Sequence, residues 1–321
     1  MSIRHSLIGL SALVLTASIS ACGSNPTAES TSPGRESPPP ETAAGAQAGA
    51  CPTAPVDVVV SVDQWGDIVS ELGGACATVK TVLASSSVDP HDYEPSPADA
   101  ASFTGAKLIV LNGADYDHWA SDLAATSAPA APVVSAAAVT QTGDGANPHL
   151  WYRPSAVTAV ADAVSAELAK IDPEAAGYFS ERRAAFATTM QPYSTLIEKI
   201  KAGATGKSYA ATESVFDYSA EALGLINKTP QGYQQAAANE SEPAPADIQA
   251  FRKALANKQI DVLIYNTQTE GSIPEQIRAA AEESGIPVVE VTETVAPGET
   301  TFVGWQDKQL TALAGALGVT D

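Results

Sequence analysis

Basic side chains are scarce in this chain: 17 Lys and Arg stand against 37 Asp and Glu in 321 residues, a net charge of −20. So negative a surface repels phosphate backbones, which excludes nucleic acid as a partner class. It favours the approach of cations, although solubility alone also accounts for an acidic surface. Cysteine is nearly missing, with Cys22, Cys51 and Cys76 the full complement, and His5, His91, His118 and His149 are the whole histidine set. No C-x-x-C, H-E-x-x-H or G-x-S-x-G occurs. Gly206-Lys207-Ser208 lacks the upstream glycine of a phosphate-binding loop, since Lys201 stands there. No apolar run reaches the ~20 residues that a membrane span needs.

What is present begins with a leader. Arg4 and His5 precede an apolar stretch from Leu7 to Ile19, then Ser20-Ala21-Cys22. Residues 1–21 read as a secretory signal peptide, and the placement of Cys22 resembles a bacterial lipobox, whose cysteine is lipidated. The alternative is a chance cysteine beside an ordinary cleavage site. Residues 22–54 are Ser, Pro, Ala, Gly and Glu with almost no large apolar side chain. Such a segment buries too little surface to offset its ordering entropy, so it reads as a disordered tether. The expected location is the extracytoplasmic face of the cell membrane, by a lipid anchor. In that oxidising compartment Cys51 and Cys76, each just ahead of a predicted strand at the same sheet edge, are a candidate disulfide.

The stretch from Asp172 to Gly203 organises the remainder. Tyr178, Phe179, Arg182, Phe186, Thr189, Met190, Tyr193, Leu196, Ile197 and Ile200 recur at spacings of three and four, which predicts one long helix with a core-facing side. Asp172 is its expected N-cap, Pro173 its first helical residue and Gly203 its stop. Pro192 predicts a bend near Thr188. At ~1.5 Å per residue the helix spans ~45 Å, longer than one small domain needs. Strands alternate with helices on both sides of it, with strands expected over 56–62, 78–84, 107–112, 133–134, 207–212, 262–265 and 287–291, which predicts parallel sheets. The fold class is therefore α/β: two Rossmann-like lobes with parallel sheets, residues 55–150 and 205–321, joined through 151–204 by one long backbone helix, with the chemistry in the cleft.

Two histidines share a local context, Asp89-Pro90-His91 and Asn147-Pro148-His149. Each follows a strand-bearing segment, at the strand end where open α/β sheets bind ligands, and the preceding proline stiffens the backbone. A divalent-metal site needs three or more converging donors. Each histidine alone also reads as a loop residue bonded to backbone, and His118 beside Trp119 reads as structural. Glu213 and Glu293 each sit just past a predicted strand, as a carboxylate ligand would, against competing acids Asp92, Glu94, Asp217, Glu270 and Glu290.

Taken together, DPHDYEPSPAD around His91, NPHLWYRP around His149, the long helix, TESVFDYSAEALGL from Thr212, and VVEVTETVAPGETTFVGWQ resemble the solute-binding lipoproteins of zinc and manganese ABC importers, over residues 56–318. The resemblance implies a metal bound between the lobes by His91, His149, Glu213 and Glu293, and docking of a monomer on a membrane ABC permease. Glu213 stands where zinc-type members usually have a third histidine and manganese-type members a glutamate. Glu293 stands where many members have aspartate. The histidine-rich loop of many zinc importers is missing from Thr140–Ala146. Two imidazoles with two carboxylates make a hard donor set with room for bidentate oxygen, so Mn²⁺ is favoured, Zn²⁺ follows closely and Fe²⁺ is a minor option, although Zn²⁺ has the higher intrinsic affinity. The expected role is capture and delivery, not catalysis. A metal-dependent hydrolase, which would enlist Asp217 or Glu270 as base, and a metal-independent surface adhesin are the rival readings.

Overall fold

The computed structural model describes residues 49–84, 93–143, 145–239, 241–269 and 271–319. The expected signal peptide, Cys22, most of the tether, the loop with Asp89, His91 and Asp92, and residues Glu240 and Glu270 lie outside the described residues.

Two four-stranded parallel sheets carry the chain. In the first, β1 (Val56–Val62) lies between β2 (Ala77–Leu83) and β3 (Leu108–Leu111), with β4 (Val133–Ser135) beyond β3. In the second, β5 (Ser208–Ala211) lies between β6 (Ile226–Asn227) and β7 (Val262–Asn266), with β8 (Val288–Val291) beyond β7. The order β2-β1-β3-β4 recurs as β6-β5-β7-β8, so the second half repeats the winding of the first without repeating its residues. The central strands read VDVVVSV, LIVL and VLIYN because both faces of each sheet are covered.

The helices in chain order are α1 (Asp63–Gly73), α2 (Pro97–Phe103), α3 (His118–Ser127), α4 (Ala136–Thr140), α5 (Pro154–Ile171), α6 (Ala176–Thr189), α7 (Gln191–Gly203), α8 (Asp217–Ala222), α9 (Gln231–Ala238), α10 (Pro245–Ala256), α11 (Ser272–Glu283) and α12 (Phe302–Leu317). At α2 the run Ser96-Pro97-Ala98-Asp99 forms a capping box: Ser96 Oγ accepts from Asp99 N, Asp99 Oδ2 accepts from Ser96 N at 2.7 Å, and Pro97 opens the helix. Among the described residues no helix is long and apolar enough to cross a membrane.

The long helix departs from expectation at three points. It is two helices, α6 and α7, with the break at Met190, two residues past the predicted bend. Pro192 has no N–H to give to Thr188, so the ladder loses a bond there, while Met190 N to Phe186 O (2.9 Å) and Ser194 N to Met190 O (3.0 Å) bracket the gap. Residues Pro173–Ala175 form a 3-10 turn, and Asp172 does not cap it; its carboxylate accepts instead from Thr53 Oγ1. Gly203 closes α7 from inside, and Ala204 is the cap residue.

The buried face of α6 and α7 carries Phe179, Phe186, Met190, Tyr193, Ile197 and Ile200. The polar members of the predicted stripe have a different task. Arg182 Nε donates to Glu71 O at 2.8 Å and Tyr178 Oη accepts from Ala75 N at 2.7 Å, so both satisfy backbone groups at the end of α1. Gly74, at φ +50°, lets the chain turn there; a Cβ on it would meet Tyr178 Oη at 2.4 Å. Just beyond, Cys76 is disulfide-bonded to Cys51, with Cα atoms 5.0 Å apart, so the segment ahead of β1 is fastened to the start of β2.

Candidate metal centre

Three side chains from distant parts of the sequence meet at the carboxyl ends of the strands. His149 lies in the loop after α4, Glu213 two residues past β5, and Glu293 two residues past β8. One donor atom from each lies within 4.8 Å of the others. His149 Nε2 is 3.4 Å from Glu293 Oε1. His149 and Glu293 are only 3% and 7% exposed, so this is an interior cluster and not a surface acidic patch.

Each donor is oriented by its surroundings. Asn147 Oδ1 lies 2.7 Å from His149 Nδ1 and accepts from His149 N at 3.0 Å. Nδ1–H is thereby the donor, and Nε2 is left facing the carboxylates in the form a metal requires. Asn147 Nδ2 donates to Ser214 O at 2.7 Å, and Tyr218 Oη donates to Asn147 O at 2.9 Å, so the loop of the first sheet is tied to the residue that follows Glu213. The carbonyl of Pro148 is fixed by Asn112 Nδ2 at 2.9 Å, and Asn112 by the buried Trp65 Nε1 at 3.1 Å.

Glu213 Oε2 accepts from Asn266 Nδ2 at 2.8 Å and from Thr269 Oγ1. Gln268 Oε1, between those two residues, accepts from the N–H groups of Glu293 (2.6 Å) and Thr294 (3.0 Å). Thr292, on the other side of Glu293, is held by Trp305 Nε1 at 2.8 Å, and its carbonyl accepts from Tyr152 Oη at 2.6 Å. From the first half, Gln64 Nε2 donates to Glu293 O at 3.1 Å and to Tyr116 Oη at 2.7 Å, while Tyr116 is itself hydrogen-bonded to the Glu293 side chain.

The electrostatics follow from two carboxylates sharing a largely buried space. Burial pushes the Glu213 carboxyl up, and the charge of Glu293 pushes it further. Burial alone would lower the His149 imidazole, but the hydrogen bond and charge of Glu293, with Glu213 and Asp217 behind it, more than offset that, so it is raised. Asp63, at the first turn of α1, is pushed up to about 6 by burial. A divalent cation would relieve the repulsion between Glu213 and Glu293.

Of the predicted ligands, the structure brings His149, Glu213 and Glu293 together; His91 lies outside the described residues. Of the competing acids, Asp92 and Glu270 lie outside the described residues, and the other three have other settings. Asp217 accepts from Tyr209 Oη at 2.8 Å and Gln234 Nε2 at 3.4 Å. Glu290 pairs with Arg278 at 2.7 Å on the surface, Glu94 is exposed, and His118 is exposed on the first turn of α3. Asp89, Asp92 and backbone carbonyls are the partners the sequence offers for steadying the imidazoles; both aspartates lie outside the described residues, and for His149 the side chain of Asn147 takes that place. Sequence reasoning did not single out Gln64, Tyr116, Asn266, Gln268 or Thr269. Single polar side chains in apolar strands and loops carry no spacing signal; the one hint was that Asn266 ends an otherwise apolar strand.

The comparisons with known proteins bear on the family and the fold. The chain is 22% identical over 175 residues to the manganese-binding lipoprotein MntA of Halalkalibacterium halodurans, covering 52% of this chain and 58% of that one. It is 22% identical over 203 residues to the high-affinity zinc uptake system protein ZnuA of Bacillus subtilis, covering 57% and 62%. The chain thus spans about six-tenths of the length of these curated relatives. Its fold is that of the periplasmic zinc binding protein TroA from Treponema pallidum, with a TM-score of 0.68 at 20% identity over 82% of this chain and 99% of that one. The model of the family "Zinc-uptake complex component A periplasmic" matches residues 58–316, which take in both sheets and all three clustered donors, and the chain belongs to that family.

Proposed function

We propose that this protein is an extracytoplasmic receptor that captures one divalent transition-metal ion and hands it to a membrane ABC permease. His149, Glu213 and Glu293 are the ligands read from the cluster, with His91 as the fourth. The single observation that carries the reading is the convergence of three donors within 4.8 Å in the interior, each with its own orienting partner. Two neutral imidazoles and two carboxylates balance a 2+ charge, and metal affinity depends on their being deprotonated. Mn²⁺ and Zn²⁺ are the candidate cargoes: one relative is named for manganese and another for zinc. A single chain supplies all four donors, which supports a monomer. The acidic surface argues against nucleic acid as a partner, and the leader with Cys22 supports a lipid anchor on the outer membrane face. The role is binding and delivery, without catalysis.

The test is metal stripping by chelator, then calorimetric titration with Mn²⁺ and Zn²⁺, beside a His91→Ala, His149→Ala double variant. One-to-one binding that the variant loses is the expected result. A well-folded protein that takes up neither ion would overturn the reading and leave a metal-independent surface role.

A further inference from the structure

We propose that Asn266 and Thr269 set the metal preference of this centre by limiting Glu213 to a single ligating oxygen. The inference rests on the reading of His149, Glu213 and Glu293 as ligands.

A carboxylate offers about four lone-pair positions, two on each oxygen. Asn266 Nδ2 and Thr269 Oγ1 both donate to Oε2 of Glu213, so its two positions are filled. Oε1 takes no hydrogen bond from the described residues and is the oxygen left for an ion. A bidentate grip would have to break one of these two bonds, and the polar group left behind would lose its partner.

The clamp is built, not incidental. Asn266 is the last residue of β7, 2% exposed, and its Oδ1 accepts from Gln268 N at 3.1 Å, which aims the amide nitrogen at Glu213. Thr267 N donates to Val291 O at 3.0 Å, so the turn bearing Thr269 is fastened to β8. Gln268 in the same turn holds the backbone of Glu293. One four-residue turn therefore holds the carboxylate of Glu213 and the backbone of Glu293.

Zn²⁺ is satisfied by four ligands, whereas a harder ion such as Mn²⁺ gains from further oxygen donors in a larger shell. A monodentate Glu213 removes one of those oxygens. The clamp thus works against the manganese preference that the bare ligand types suggest, and biases this centre toward Zn²⁺.

The experiment is competition titration of Mn²⁺ and Zn²⁺ with the wild-type protein, Thr269→Val, Asn266→Ala and Thr269→Ser, together with the visible absorption of each protein loaded with Co²⁺. Thr269→Val keeps the shape of the side chain and removes only the hydroxyl. It should raise the ratio of Mn²⁺ to Zn²⁺ affinity about tenfold, the lower end of what partners of metal ligands contribute. The intense bands of four-coordinate Co²⁺ should weaken as the shell expands, Asn266→Ala should act in the same sense, and Thr269→Ser should restore both readouts. Equal losses of affinity for both ions, with an unchanged Co²⁺ spectrum, would overturn the inference while leaving the receptor reading intact. Failure of the wild-type protein to bind any of the three ions would remove both.

Discussion

The two halves share one strand order but not one kind of core. In the first sheet both faces belong to a single cluster of buried side chains that continues through α1, α5, α7 and α12. In the second sheet the alternation of the strands divides the faces. Tyr209, Ala211, Val262 and Ile264 join the common core, whereas Ala210 and Leu263 face a separate, smaller cluster with Tyr233, Phe251, Leu255 and Ile277. The layer of α9, α10 and α11 is thus packed on the sheet without being part of what joins the halves. The donors divide along the same line: His149 comes from the first half, while both clustered carboxylates come from the ends of β5 and β8. The inner face of the second sheet has to be stiff, because it sets the distance between two like charges. The outer layer carries no such demand.

The sharpest test of this division is at the donors. His149→Ala and Glu293→Ala should each lower metal affinity by more than about 100-fold, beyond what the orienting partners of ligands contribute, as read by calorimetry. Next in size are two large-to-small changes in the two clusters. Trp305→Ala and Phe251→Ala should each cost about 3–5 kcal/mol in denaturant unfolding, since both side chains are fully buried. They should differ in affinity. Trp305 holds Thr292 beside Glu293, so its loss should weaken binding, whereas Phe251→Ala should leave affinity within about twofold because Phe251 packs in the separate outer cluster. If Phe251→Ala weakened binding as strongly as Trp305→Ala, the division of the second half into two layers would fail. Amide exchange in α9–α11 should also run ahead of exchange in β5 and β7.

Much of this was legible in the chain because the signals were long or stiff. Val56–Val62, the Ser96–Asp99 capping box and the helical period through Ile200 fixed elements whose type did not depend on tertiary context. Glu213 and Glu293 stood out because each sits just past a strand, and His149 because Asn147-Pro148-His149 repeats the context of Asp89-Pro90-His91. The missing pieces were short. β6 is two residues and α4 five, below the length at which a period can be counted, and α9 lacks a starting cap. The break at Met190 was displaced from its predicted place because Pro192 sits in the second position of α7, where its missing N–H costs nothing within the new helix. The clamp on Glu213 was illegible for a different reason: Asn266 and Thr269 lie 53 and 56 residues from their partner.

Asn147 offers a smaller effect that bears on how the halves communicate. Its side chain holds the His149 ring and also binds the backbone beside Glu213. Asn147→Ala should weaken binding about 10–100-fold. Asn147→Asp keeps an acceptor for Nδ1–H but gives up the bond to Ser214 O, so it separates the two tasks. Affinity near wild type in the aspartate variant would assign the effect to ring orientation alone; a loss as large as in the alanine variant would assign it to the tie between the halves.

The effect of pH acts on the centre as a whole, and its sign follows from the groups that face it. In the metal-free fold the imidazole of His149 and the carboxyl of Glu213 both hold their protons to higher pH than in the unfolded chain, the first because Glu293, Glu213 and Asp217 outweigh burial, the second because of burial and Glu293. A group whose folded pKa is raised contributes stability below its unfolded pKa and loses it as pH rises through the folded value. The metal-free protein should therefore give up stability as pH rises across that window. The metal-bound protein has exchanged the same protons for an ion and should not, because cation charge replaces proton charge at each donor. The rise in Tm on adding Zn²⁺ should accordingly grow from pH 5.5 to pH 8, while affinity falls by up to about tenfold per unit of acidification for each proton displaced. Thermal unfolding with and without Zn²⁺ across that range reads both. An ion-induced rise in Tm that was flat with pH in the wild type would mean that His149 and Glu213 carry no proton for the ion to displace, and the two like charges would then have to be held apart by the turn of Asn266–Thr269 alone.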